Sequence, residues 1–178
     1  MKKIYLLLSL FFMILLPFQN IEAQKPYNHS VGGVGGNMFA ISYQTYLLDN
    51  LALGTDFGVK LVYTNGEGFA GSDIMTLEVN PNLMYSKKFK NNLNGLFGGG
   101  ISLGYNFLAN QFQPVIAGKF GFNALVGIEY MFNIPLVLQA DIRPGYGVQF
   151  RANEDAWHFF DWGVCVSLRY TFKVVGNK

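Results

Sequence analysis

The stretch "GVCVSLRYTF", residues 163–172, decides how this chain is read. Its even positions, Val164, Val166, Leu168, Tyr170 and Phe172, are all apolar. Its odd positions, Gly163, Cys165, Ser167, Arg169 and Thr171, are all small or polar. A period of two is that of a β-strand whose faces meet different surroundings. One face suits an apolar environment, which is either a protein core or lipid.

The same period recurs along the chain. Leu51 to Tyr63 sets Leu53, Phe57, Val59 and Leu61 against Gly54, Asp56, Gly58 and Lys60. Met75 to Tyr85 sets Leu77, Val79, Pro81 and Leu83 against Thr76, Glu78, Asn80 and Asn82. Phe97 to Phe107 opposes Ile101, Leu103 and Tyr105 to Gly98, Gly100, Ser102 and Gly104. Phe120 to Phe132 opposes Phe122, Val126, Ile128 and Tyr130 to Lys119, Asn123, Leu125 and Glu129. Leu136 to Phe150 opposes Leu138, Ile142 and Tyr146 to Gln139, Asp141 and Arg143. The last strand runs from about Phe159 to Phe172. Phe39 to Leu47 alternates with Ser42, Gln44 and Tyr46 inward. "HSVGGVGG", His29 to Gly36, has no clear parity but completes an even count of eight, the rule for single-chain bacterial barrels. Without it the sheet would keep an unpaired edge.

A soluble sandwich would also alternate, but its polar face would carry many Lys and Glu. Here that face is mostly Gly, Ser, Asn and Gln. Charged residues are 13% of the chain and aromatics 16%, against about 25% charged in soluble domains. Past residue 24 no apolar run is long enough for a membrane helix. A chain this apolar then has one remaining membrane solution, a closed barrel. Aromatics gather at two rims: Tyr85, Phe97, Tyr130, Phe132, Tyr170 and Phe172 at one, Tyr63, Tyr105, Phe107, Tyr146, Phe150 and Trp162 towards the other. Interfacial girdles have that arrangement. The expected fold is all-β: an eight-stranded antiparallel transmembrane up-and-down barrel.

The front of the chain indicates a destination. Lys2 and Lys3 precede an apolar run from Ile4 to Leu16, and "IEA" stands before Gln24. This is the form of a secretory signal peptide, expected to occupy residues 1–23, with the barrel over 24–178. The remaining chain keeps 11 of the 13 basic and 10 of the 11 acidic residues. A balance near zero argues against nucleic-acid binding, and the single Cys165 forms no internal disulfide.

Turns predict the sides. "LDN" (48–50), "KNN" (90–92) and "NIP" (133–135) are short. "TNGEGFAGS" (64–72), "ANQFQ" (109–113) and "RANEDAW" (151–157) are longer and fall at the other end. Short periplasmic turns and longer outer loops are the rule, so both termini should be periplasmic. "KKFK" (87–90) reads as a solvated periplasmic turn able to meet anionic headgroups. Pro81 and Pro144 inside strands predict bulges or broken pairing. "GGVGG" (32–36) and "GGG" (98–100) lack the context of a phosphate loop and are expected to serve curvature and close packing.

The chain resembles the small eight-stranded outer-membrane barrels of the OmpA/OmpX-like type. The resemblance rests on "YLLDNLALGTDFG" (46–58), "GIEYMFNIPLVLQADIRPGYG" (127–147) and the closing "SLRYTF". It implies an outer-membrane protein without a periplasmic domain, surrounded by outer-membrane lipids and handled by periplasmic chaperones and the barrel-assembly machinery. It also implies that Val164, Val166, Leu168, Tyr170 and Phe172 form the assembly signal, although "KVVGNK" follows where many relatives stop.

The expected lumen charges are Asp56, Lys60, Glu78, Lys119, Glu129, Asp141, Arg143, Asp161 and Arg169. Five acids against four bases are nearly balanced, which predicts a salt-bridge plug rather than a selectivity ring. Arg169 is the expected hub, since a guanidinium can bridge two carboxylates. The function so read is a structural or surface-interaction element, with a small-solute or ion channel as the alternative. A lipid-modifying enzyme would need His158, with Glu154, Asp155 or Asp161 and with Ser72, to act together; their spacing matches no catalytic motif. No enzymatic activity, cofactor or metal is expected, Cys165 is read as packing, and the chain is expected to act as a monomer.

Overall fold

A computed structural model describes residues 27–62, 74–90, 92–108, 117–151 and 156–172. The signal segment, Tyr63, most of the three longer loops with Ser72, Glu154 and Asp155, and the tail after Phe172 lie outside them. Eight antiparallel strands form one closed barrel in chain order. They are β1 (His29–Gly36), β2 (Met38–Tyr46), β3 (Leu51–Val62), β4 (Ile74–Lys90), β5 (Leu93–Leu108), β6 (Ala117–Met131), β7 (Leu136–Arg151) and β8 (Trp157–Phe172).

Register can be followed around the wall. Ser30 pairs with Gln44, then the path runs through Gly54, Asn82, Gly100, Asn123 and Gly145 to Asp161. The β8–β1 register (His29 with Phe172) would bring Asp161 back opposite position 40, ten residues beyond the start. A stagger of ten over eight strands tilts them by roughly 40°. All eight side-chain positions on this circuit face inward, and four are Gly or Ser. A narrow lumen has room for little else.

The wall is uneven. β1 and β2 are short, and their hairpin turns at Gly36, Asn37 and Met38. Gly36 has φ of 124°, a conformation that side-chain-bearing residues rarely adopt, and a Cβ there would meet the Val164 carbonyl oxygen at 2.2 Å. Asn37 finishes the turn against β8: its amide donates to the Val164 carbonyl (3.2 Å) and its side-chain oxygen accepts from the Val164 amide (2.9 Å). Above this point β8 pairs only with β7 among the described residues, from Gly163–Arg143 to Trp157–Gln149.

Both prolines interrupt pairing on one side without changing register. The β4–β5 ladder passes from Val79–Leu103 to Asn82–Gly100, and the β6–β7 ladder from Asn123–Gly145 to Val126–Ile142. The bulge lies elsewhere, between Lys88 and Lys90. There the expected "KKFK" turn is corrected: residues 87–90 are the last four of β4, which runs five residues past its final β3 partner, Tyr85. The reason is that β5 begins at Leu93, four residues before the expected start, so β4 has a partner to extend along.

The apolar face points out. Phe39, Ile41, Phe57, Phe122, Phe160 and Trp162 are each more than half exposed, and Val164, Val166, Leu168 and Tyr170 alternate with the buried Cys165, Ser167 and Arg169. In water so large an apolar belt would be a severe liability; in lipid it is the contact surface. β1 resolves in the same way: Ser30 and Val34 are buried and Val31 is exposed.

Candidate functional site: the lumen network

All nine expected charges lie on the inner side, and each has an oppositely charged partner within 4 Å. Register sorts them into three levels.

Nearest the short turns, Glu129 on β6 is fully buried. It accepts hydrogen bonds from five donors: Tyr27 Oη at 2.6 Å, Tyr46 Oη at 3.1 Å, Gln44 Nε2 at 3.3 Å, Asn94 Nδ2 at 3.3 Å and Arg169 Nη2 at 3.1 Å. Arg169 also donates to Gln139 Oε1 (2.6 Å) and Ser167 Oγ (2.9 Å). An apolar floor of Tyr27, Tyr46, Ala52, Met84, Leu96, Leu125 and Val137 surrounds this level. A buried carboxylate is tolerated only with this density of donors.

The middle level is Arg143 on β7. Its Nη1 donates to Asp56 Oδ2 and its Nε to Asp141 Oδ1, both at 2.5 Å. Gln139 joins the lower two levels, accepting from Arg169 and donating to Asp141 at 2.6 Å. At the third level Lys119 pairs with Glu78 and, at 3.1 Å, with Asp161, which also accepts from Lys60. The Lys119 ammonium lies 4.7 Å from the centre of the Phe159 ring, a cation–π contact.

The expected hub is therefore corrected. Among the described residues Arg169 meets one carboxylate, whereas Arg143 bridges two. Strand parity places both inside the barrel, but only register decides which acids stand level with each. Tyr27 was not legible at all. It has outward parity relative to β1, yet the bend at Asn28 folds it under the barrel, edge-on to Tyr46 at 5.0 Å. Gln44, Tyr46 and Gln139 could be found by parity alone.

Of the catalytic set weighed from the sequence, the two described members, His158 and Asp161, do not come together. His158 lies on the outer face with its ring stacked on Tyr146 and Nδ1 3.0 Å from the Tyr146 hydroxyl, while Asp161 points into the lumen. Ser72, Glu154 and Asp155 are outside the described residues. Cys165 packs with Val34 and Met38.

Two cavities flank the middle level. One, open to solvent, is lined by Lys60, Asn80, Ser102, Asn123, Arg143 and Asp161 among others. The other is lined by Gln44, Asp56, Asn82, Arg143 and Arg169 among others. Arg143 borders both.

No family model and no curated protein matches the chain. Solved structures do. Neisserial surface protein A aligns over 81% of this chain and 93% of its own, with TM-score 0.58 and 13% identity. The N-terminal β-barrel domain of Pseudomonas aeruginosa OprF aligns over 84% of this chain and 98% of its own, with TM-score 0.57 and 12% identity. Identity this low shows shared architecture, and with the closed eight-strand ring it gives the conclusion that this chain has the fold of the small eight-stranded outer-membrane β-barrels.

Proposed function

We propose that the protein is an integral outer-membrane barrel whose lumen is closed by its own side chains, and that it serves as a structural or surface-interaction element of that membrane. The observation that carries this reading is the pairing of all nine lumen charges behind an outward apolar wall. A selectivity ring of charged side chains would leave those charges free to meet the passing ion, and here each is paired within the protein. The short-turn end then faces the periplasm. Outer-membrane lipids are the permanent partners, chaperones and the barrel-assembly machinery the transient ones, and the alternating face of β8 is the assembly signal.

Single-channel recording of the refolded protein in a planar bilayer tests the closed lumen, with a heat-modifiability gel alongside to report folding. Folded protein without current is the expected result; discrete conductance steps from folded protein would overturn it. A channel is the second reading, and one observation favours it: Arg143 lines both cavities. Under that reading Arg143→Met raises conductance; under the closed-lumen reading the third level still blocks the path.

A further inference from the structure

The charges outside the lumen are sorted by end. From Gln24 onward, the short-turn end carries Asp49, Lys87, Lys88 and Lys90, and the segments flanking the barrel in sequence there carry Lys25, Lys173 and Lys178. The segments joining strands at the opposite end carry Glu67, Asp73, Glu154 and Asp155, with Arg151 ending β7. Counted along the sequence, six lysines and one aspartate belong to the short-turn end and its flanking segments, and four acids and one arginine to the other.

The described part of the basic end is the tip of β4. Lys88, Phe89 and Lys90 are exposed and Lys87 is partly so. Phe89 is the extra residue of the bulge, 55% exposed, and its ring covers Gly95, where an added Cβ would come within 2.5 Å of it. It follows Tyr85 on the lipid-facing parity by four residues. At about 3.3 Å per residue and a tilt near 40°, that sets the ring roughly 10 Å below Tyr85. An aromatic at that depth, with ammonium groups on both sides, combines an apolar anchor with attraction for negative headgroups.

We propose that the Lys87–Lys90 end of β4 docks the headgroups of anionic phospholipids in the periplasmic leaflet, with Phe89 as its apolar anchor. A soluble acidic partner would not use a ring continuous with the lipid-facing girdle. The proposal rests on the membrane reading given above, and its test separates the two. Phe89→Trp, in a Trp157→Phe, Trp162→Phe background, is refolded into nanodiscs holding either spin-labelled phosphatidylglycerol or equally labelled phosphatidylcholine. At low ionic strength the anionic label should quench Trp emission at least about twofold more steeply, because juxtamembrane lysines attract anionic lipid and salt screens them. Lys88→Gln with Lys90→Gln should bring the two labels towards equality, and so should about 0.5 M salt. Equal quenching in folded protein with all its lysines overturns the proposal, as does a preference that survives both treatments. Failure to give a heat-modifiable band strikes the barrel reading instead.

Discussion

At the scale of single residues, the lumen depends on compensation. Glu129 is fully buried, and Arg169 beside it is nearly so. Glu129→Ala leaves the Arg169 guanidinium in a low-dielectric interior with only neutral partners. Breaking a buried pair from one side costs about 3–5 kcal/mol. Lys88→Ala, at an exposed position, should stay within about 0.5 kcal/mol. Urea titration of the refolded protein in detergent, read by the gel shift of the folded band, checks the contrast; similar midpoints would mean the network contributes little to stability. Arg143→Ala should approach Glu129→Ala in cost, since it strips Asp56 and Asp141 of their shared cation. The same residues mark how far sequence carries. Alternation told which way each of the nine charges points, because a strand has only two faces. It could not tell their heights, because height depends on stagger, which is a property of all eight strands together. Hence Arg169 was recognisable as a lumen residue but Arg143 was not recognisable as the bridge, and Tyr27, ahead of the first strand residue, gave no signal.

Strands carry a second set of consequences. A strand residue points its N–H and C=O to the same side, and successive residues alternate. Val164 bonds Asn37 through both groups, so Trp162 and Phe160 direct theirs to that same side, where β1 has already ended. Val166 and Leu168 face Gly35 and Gly33. The amides of Phe160 and Trp162 should therefore exchange with deuterium at least about a hundredfold faster than those of Val166 and Leu168, by NMR in micelles. Equal protection would mean that another part of the chain covers this edge. At the other end of β8, Phe172 stacks on His29 at 5.6 Å, and His29 in turn stacks on Tyr43 and hydrogen-bonds its hydroxyl at 2.7 Å. Phe172→Ala removes the ring that links β8 to β1 and β2, as well as the last aromatic of the proposed signal. Folded protein in isolated outer membranes should drop several-fold relative to wild type; unchanged levels would dismiss the signal. Strand existence was legible because lipid outside and a narrow lumen inside demand opposite chemistry at every second residue. Strand ends were not, because past the hydrocarbon layer that demand lapses, and β4 continues through "KKFK" only because β5 offers it a partner.

For the molecule as a whole, the inside-out distribution of polarity explains the composition. Most of the apolar residues that a soluble domain would bury are on the outside, and the inside holds glycines, amides and paired charges beside two small apolar clusters. Heat-modifiability follows: the closed ladder, shielded by lipid or detergent, should survive dodecyl sulfate at room temperature and migrate faster than the boiled chain. Identical migration before and after boiling would contradict a closed barrel. A ring of eight strands has no ends, yet its joins are unequal. The join of first strand to last runs only from His29–Phe172 to Gly36–Cys165, while its neighbour runs from Leu136–Tyr170 to Gln149–Trp157. It is also the one join with no connecting loop to hold its two sides together. The barrel thus has a seam, short and unstitched, and it is the place where the wall would close last in assembly and tear first under stress.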